Sequence, residues 1–267
     1  MIKMGTVWDR AAEFLTDNLP AILPIALFAF FVPLSIMGGL GPVLNAQVEG
    51  LAYVLWGIVF ALAALVNWGG LTLIAMAMER EAEPGAVATR RLVPAIVVWT
   101  VIGLGLVLLS LPVTLTLMSG SREGGGSLSI PVVVAWPLAI YVLAAIVAAI
   151  WVLARLILVY PVIVAEKRWF GAIARSWVLT RGIGLKVVGV ILLYFLVSTV
   201  GMLATQTVFG SVFKLIAGPD GGLSLSSVLT SVMIAVVGTG FSVIVPVFTA
   251  KLYLILDAAE RDRAAAS

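Results

Sequence analysis

IPVVVAWPLAIYVLAAIVAAIWVLARLILVY, residues 130–160, carries one charged side chain, Arg155. About 20 helical residues cross the hydrocarbon core of a bilayer, and this run is longer than that. It lacks the strict alternation of a barrel strand. Inside a bilayer the backbone has no water to bond to, so such a run spans as a helix. Five more runs share its character: Leu19–Met37, Leu51–Met78, Leu92–Met118, Lys186–Phe209 and Ser226–Leu256. The 267 residues are 62% apolar and 11% charged, with a mean hydropathy of +1.19. A soluble domain carries about 25% charged residues. The expected fold is therefore all-α: a polytopic bundle of six transmembrane helices forming one membrane domain over residues 1–267.

Prolines lie inside several spans, at Pro24, Pro33, Pro112, Pro137 and Pro246. Each removes a backbone donor, which predicts a kink. Between the spans, Lys and Arg are unevenly placed. Segments 1–18, 79–91, 161–186 and 257–267 hold twelve of them, whereas 38–50, 119–129 and 210–225 hold only Arg122 and Lys214. The positive-inside rule then puts both termini in the cytoplasm. The outer connections, built on MGGLGP, SGSREGGGS and GPDGG, are too short to be domains.

Three flanks introduce pairs of spans. In residues 1–18, Met4, Val7, Trp8, Ala11, Phe14 and Leu15 recur at helical spacing, with Asp9, Arg10, Glu13 and Asp17 elsewhere. That pattern predicts an amphipathic helix in the plane of the interface, not a secretory signal. EPGAVATRR precedes the third span and RWFGAIARSWVLTRGIGLK the fifth. Even-numbered spans close on Glu79-Arg80, Glu166-Lys167 and Glu260-Arg261. The chain thus reads as three tandem helical hairpins, about 5–83, 84–167 and 168–260, each with a cytoplasmic lead-in helix. Equal orientation makes these parallel repeats. Any even-numbered bundle shows some such rhyme, and that reading stays open.

With no histidine and no cysteine, disulfides, haem ligation, iron–sulfur clusters and Cys/His zinc sites are excluded, and no cofactor or metal is expected. The commonest general acid–base side chain is missing too. Carboxylates lie almost entirely in the flanks, so intramembrane acid–base pairs are not expected. Gly103-Leu-Gly105 and Gly182-Ile-Gly184 lack the third glycine of a nucleotide fingerprint. Gly182 reads instead as a helix break before the fifth span.

Candidate binding residues are cationic and aromatic. On a wheel through 168–181, Trp169, Phe170, Ile173 and Trp177 share a face, opposite Arg168 and Arg175, with Arg181 at the edge. Tryptophan favours the headgroup level and arginine reaches lipid phosphates there, so Trp8, Trp169 and Trp177 are expected as interfacial anchors. A topology-setting loop without a ligand is the competing reading. Arg155 and Lys251 lie inside spans. A charge at membrane depth is costly and marks function or snorkelling. Snorkelling suits Lys251. Arg155 is deeper, and either snorkels, pairs with Glu166 or Asp257, or holds a lipid phosphate. Asn67 is expected in a helix–helix hydrogen bond, and the pairs Ala144/Ala148, Ala145/Ala149 and Gly201/Thr205 in close helix packing.

The stretch ILVYPVIVAEKRWFGAIARSWVLTRGIGLKVVGVILL resembles the membrane-domain family of bacterial glycerophosphoryl diester phosphodiesterases. The matching residues are Arg155, Pro161, Glu166, Ala172, Arg175, Ser176, Trp177, Thr180, Arg181 and Gly182, within about 155–195. Lys167 supplies the usual basic residue after the glutamate, while the usual glycine is displaced to Gly171. In that family, catalysis belongs to a separate soluble barrel with carboxylates and histidines, for which this chain has neither room nor residues. The resemblance implies the membrane module alone, and no phosphodiesterase activity. Two function classes follow. The first is a non-catalytic bacterial inner-membrane protein that contacts anionic phospholipid or serves as a subunit of a larger membrane complex, with no nucleic-acid partner. The alternative is a small-solute or lipid transporter or channel. A lipid-modifying enzyme is the least supported, because no two catalytic groups converge by spacing.

Overall fold

The computed structural model describes residues 3–45, 52–79, 83–123, 132–217 and 225–265. These are helical almost throughout, and six helical stretches are long and apolar enough to cross a membrane. Arg80, the Arg122 side chain and the SGSREGGGS and GPDGG connections fall outside what is described, wholly or in large part.

α1 (Met4–Asp17) has the predicted amphipathic pattern, but its apolar face meets protein. Val7, Ala11 and Phe14 are buried where α1 packs on the last helix, and the Trp8 ring lies 5.8 Å from that of Phe248. A face this well covered is docked rather than floating in the interface. The first span is assembled from α2 (Leu19–Ala26), a π-helical turn (Leu27–Phe31) and α3 (Val32–Asn45). The π-turn sits between Pro24 and Pro33, the two positions that cannot donate to the helical ladder. α3 runs on to Asn45, so MGGLGP is helix rather than connection.

α4 (Ala52–Met78) forms the second span and α5 (Pro84–Glu123) the third. Proline at the first helical position leaves nothing unsatisfied. From Pro84 the helix continues into the span, so residues 84–91 are not a separate lead-in helix. α5 also packs more extensively on α4 than on α6 (Val132–Leu156). The second pair of spans is thus not set apart as a hairpin of its own.

The fourth span breaks. α6 ends at Leu156, and α7 (Val159–Glu166) begins after a turn at Ile157 and Leu158. Pro161 cannot donate to the carbonyl of Ile157, which explains the break there. α7 buries Val159, Pro161, Val162, Ile163 and Val164. Residues 161–166, expected as a flank, are part of the bundle. α8 (Gly171–Leu179) is short, and α9 (Gly184–Ala217) and α10 (Leu225–Ala265) complete the chain. Between α8 and α9 the chain turns at Gly182, whose φ of +90° suits a residue without Cβ.

Burial is concentrated at the end of the bundle where the basic flanks gather. The core draws on α1, residues 71–78 of α4, 87–102 of α5, 154–164, and 243–256 of α10. Towards the opposite end, large apolar residues such as Leu108, Leu143, Phe195 and Leu203 stand exposed. In lipid this costs nothing, because acyl tails are as apolar as leucine. Ala144 and Ala148 are also exposed and take no part in helix packing. Gly201 does: a Cβ there would come within 3.1 Å of the Phe241 ring on α10.

Candidate functional site

α8 lies against the junction of α6 and α7 through small side chains. Ala172, Ser176 and Thr180 are fully buried. The Ser176 hydroxyl donates to the carbonyl of Arg155 at 2.7 Å, capping the last turn of α6. In return, Nη1 of Arg155 donates to the carbonyl of Thr180 at 2.8 Å, capping α8. This reciprocal clasp explains why Arg, Ser and Thr occupy 155, 176 and 180.

The Arg155 guanidinium lies between two indoles, with its Cζ 4.8 Å from the Trp151 ring and 5.5 Å from that of Trp177. Such contacts favour a cation at about 0.5–2 kcal/mol each. It also rests on the first turn of α9. A Cβ on Gly184 would stand 3.4 Å from Arg155 Cζ, so glycine there permits the close approach. Nε of Arg155 is buried and makes no hydrogen bond. Among the described residues, no carboxylate lies within ion-pair distance of it. The expected pairing with Glu166 or Asp257 is therefore not made. Eleven helical residues would hold Arg155 and Glu166 about 16 Å apart along the axis even without the break, and both carboxylates have other partners, Glu166 in Arg175 and Asp257 in Arg261.

Arg175 takes that partner instead. Its Nε donates to Glu166 Oε1 at 2.9 Å, and its two terminal nitrogens grip Glu260 at 2.9 and 2.6 Å. Asp257 stands 3.8 Å away. The wheel placed Arg175 towards the headgroups, but it is turned inward and joins α7, α8 and α10. The Glu260 hydrogen bonds, chiefly, raise its pKa further above the ordinary arginine range. Around this hub, Arg168 reaches Glu166 at 3.3 Å, Tyr253 donates to Glu166 at 3.2 Å, and Arg261 reaches Asp257 at 2.5 Å. Arg168 and Arg181 are exposed. Trp8, Trp169 and Trp177 are each about half exposed, at 47%, 48% and 43%.

Lys251 does more than snorkel. Its Nζ bonds Glu79 at 3.0 Å and lies 4.5 Å from the Phe14 ring, which ties α1, α4 and α10 together. Asn67 makes the expected interhelical bond by accepting from the Tyr160 hydroxyl of α7. That pair lines a central cavity of about 490 Å³ among α4, α5, α6, α9 and α10. The spacing within single spans gave no sign of this cavity, because its walls come from residues as far apart as Phe30 and Thr249. The visible signal was polar-tipped aromatics inside spans: Trp99, Tyr160 and Tyr194.

Comparison with protein-family models, curated proteins and solved structures finds no match to this chain.

Proposed function

We propose that this is a non-catalytic multi-pass protein of a bacterial cytoplasmic membrane that holds an anionic phospholipid headgroup at Arg155, with both termini cytoplasmic. One observation carries the reading. A guanidinium flanked by indoles sits on the amino-terminal turn of α9, and no described carboxylate balances it. The first turn of a helix is the positive end of its dipole, so two positive features adjoin. A phosphate beside this contact, reaching both the guanidinium and the turn, would supply acceptors for both. Exposed Arg168 and Arg181 on the same side would add about 1 kcal/mol of attraction each to an anionic surface.

The other elements of the reading rest on the sequence: the membrane-domain resemblance over 155–195, the parallel repeat, the orientation from charge, and a role within a larger complex. Native mass spectrometry from mild detergent tests the lipid. The wild type is expected to retain phosphatidylglycerol. Arg155→Gln should lose most of it, while Arg168→Ala keeps it. Equal retention by all three would sink the proposal.

A transporter is the second reading. It draws on a cleft of about 510 Å³ between α9 and α10 towards their far end, lined by Gln206, Thr207, Ser211, Thr230 and Ser231. It ranks lower because the central cavity has apolar walls. Flux into proteoliposomes that depends on Arg155 would raise it.

A further inference from the structure

The central cavity raises a question separate from Arg155: what can sit in it? Val66, Ile74, Leu156, Ile157, Val190 and Ile191 make up much of its wall, and no charged side chain lines it. Its polar side chains are already committed. Tyr160 donates to Asn67, and Asn67 donates to the carbonyl of Ala63. Tyr194 donates to the Phe241 carbonyl, Ser242 to that of Gly238, and Thr249 to that of Pro246. Two indoles are the exceptions among the described residues: that of Trp8, on a half-exposed ring, and that of Trp99. The Trp99 N–H is buried and has no acceptor, and its ring lies 5.6 Å from that of Tyr160. A buried donor without a partner is costly. A ligand suited to these walls is uncharged where it lies, is largely hydrocarbon, and offers one acceptor oxygen. Ions, sugars and free carboxylates do not meet that description.

The surroundings narrow it further. Asn67 and Trp99 also line a second, smaller groove between α4 and α5, together with Phe60, Ala63, Ile96 and Thr100. Phe60 is 63% exposed, so this groove opens on the lipid-facing surface. Trp99, the residue with the unused donor, borders both hollows. At roughly 30 Å³ for a water-sized group, the cavity holds on the order of 16 methylene-sized groups, about one acyl chain. The geometry points to the central cavity as a site for one acyl chain of a membrane lipid. The chain enters sideways between α4 and α5, and its ester oxygen accepts from Trp99. Since lipid tails are already in an apolar medium, the hydrogen bond and the shape, not hydrophobicity, select the occupant.

The test uses the full chain in nanodiscs of phosphatidylcholine, with Arg155→Gln run beside the wild type; cavity label that survives Arg155→Gln does not depend on a headgroup phosphate at Arg155. A phosphatidylcholine with a mid-chain diazirine is photolysed and the labelled residues are mapped. Label is expected on Val190, Ile191 and Ile244 as well as on lipid-facing Leu193 and Phe195. Trp99→Phe keeps an aromatic ring, smaller than the indole, and removes the donor. It should lower the cavity label severalfold and leave the lipid-facing label unchanged. Gly70→Leu, which grows a side chain from the cavity wall, should do the same. If Gly70→Leu fails to fold, Trp99→Phe decides alone. Label confined to the outer surface in the wild type, or cavity label unchanged by Trp99→Phe, overturns the proposal.

Discussion

Replacing Arg175 with alanine is the sharpest perturbation of the assembled end of the bundle. Three charge-assisted hydrogen bonds are lost, and such bonds contribute roughly 1.5–3 kcal/mol each. The simple sum overstates the effect. The Glu260 side chain is 43% exposed and would be rehydrated. Glu166, at 18%, keeps Arg168 and Tyr253, and Asp257, at 9%, keeps Arg261. Removing one partner of a fully buried pair costs about 3–5 kcal/mol, so roughly 2–4 kcal/mol is expected here. At about 2–4 °C per kcal/mol for a chain of this size, Tm falls by roughly 4–16 °C. Thermal unfolding in detergent, read by loss of the monodisperse peak, measures it. Arg168→Ala is the control, since Arg168 is itself 60% exposed, Glu166 keeps Arg175 and Tyr253, and a pair with an exposed partner contributes about 0–1 kcal/mol. Glu260→Ala combined with Arg175→Ala should cost less than the two single changes together. If Arg175→Ala proves no more damaging than Arg168→Ala, the hub does not hold α8 to α7 and α10.

Other substitutions probe separate contacts. Gly69→Ala would drive a Cβ into the Cβ of Ala29 and close to the Phe30 ring, so α4 must move off the π-turn, at about 1–3 kcal/mol by thermal unfolding. Gly57→Ala on the same helix meets nothing within 4 Å and should be neutral, or stabilising by up to about 1 kcal/mol. Tyr160→Phe removes the bond to Asn67 and should cost about 0.6–1.7 kcal/mol; Asn67→Leu in the Tyr160→Phe background should then add little, by the same assay. Lys251→Met should cost under about 1 kcal/mol, because Glu79, 70% exposed, is rehydrated and the thioether still packs on the Phe14 ring.

The spans were legible because membrane thickness sets a length that a run of apolar residues either meets or does not. The predicted limits of the second span, Leu51–Met78, agree within a residue or two with the helix ending at Met78. What eluded the sequence were the interruptions and the partners they select. In the sequence Pro161 reads as the start of a flank, yet it splits the fourth span and leaves α7 buried. Glu166, about three turns beyond Arg155, meets Arg175 of α8 instead. The 84–91 segment looked like a lead-in because it is polar, but nothing in it stops a helix that starts on Pro84. The wheel sorted 168–181 into aromatic and basic sides and overlooked a third side, Ala172, Ser176 and Thr180, whose small size lets α8 dock. Contacts such as Asn67 with Tyr160 join residues of different spans, and single-span periodicity carries no information about them.

The central claim concerns the ligand of Arg155. An experimental density map of the protein in phosphatidylglycerol nanodiscs tests it most directly. The expected result is a phosphate beside the Arg155 guanidinium and the first turn of α9, with N to oxygen distances of about 2.7–2.9 Å. Arg155 facing a carboxylate, or only hydrocarbon density against its indole clamp, would contradict it.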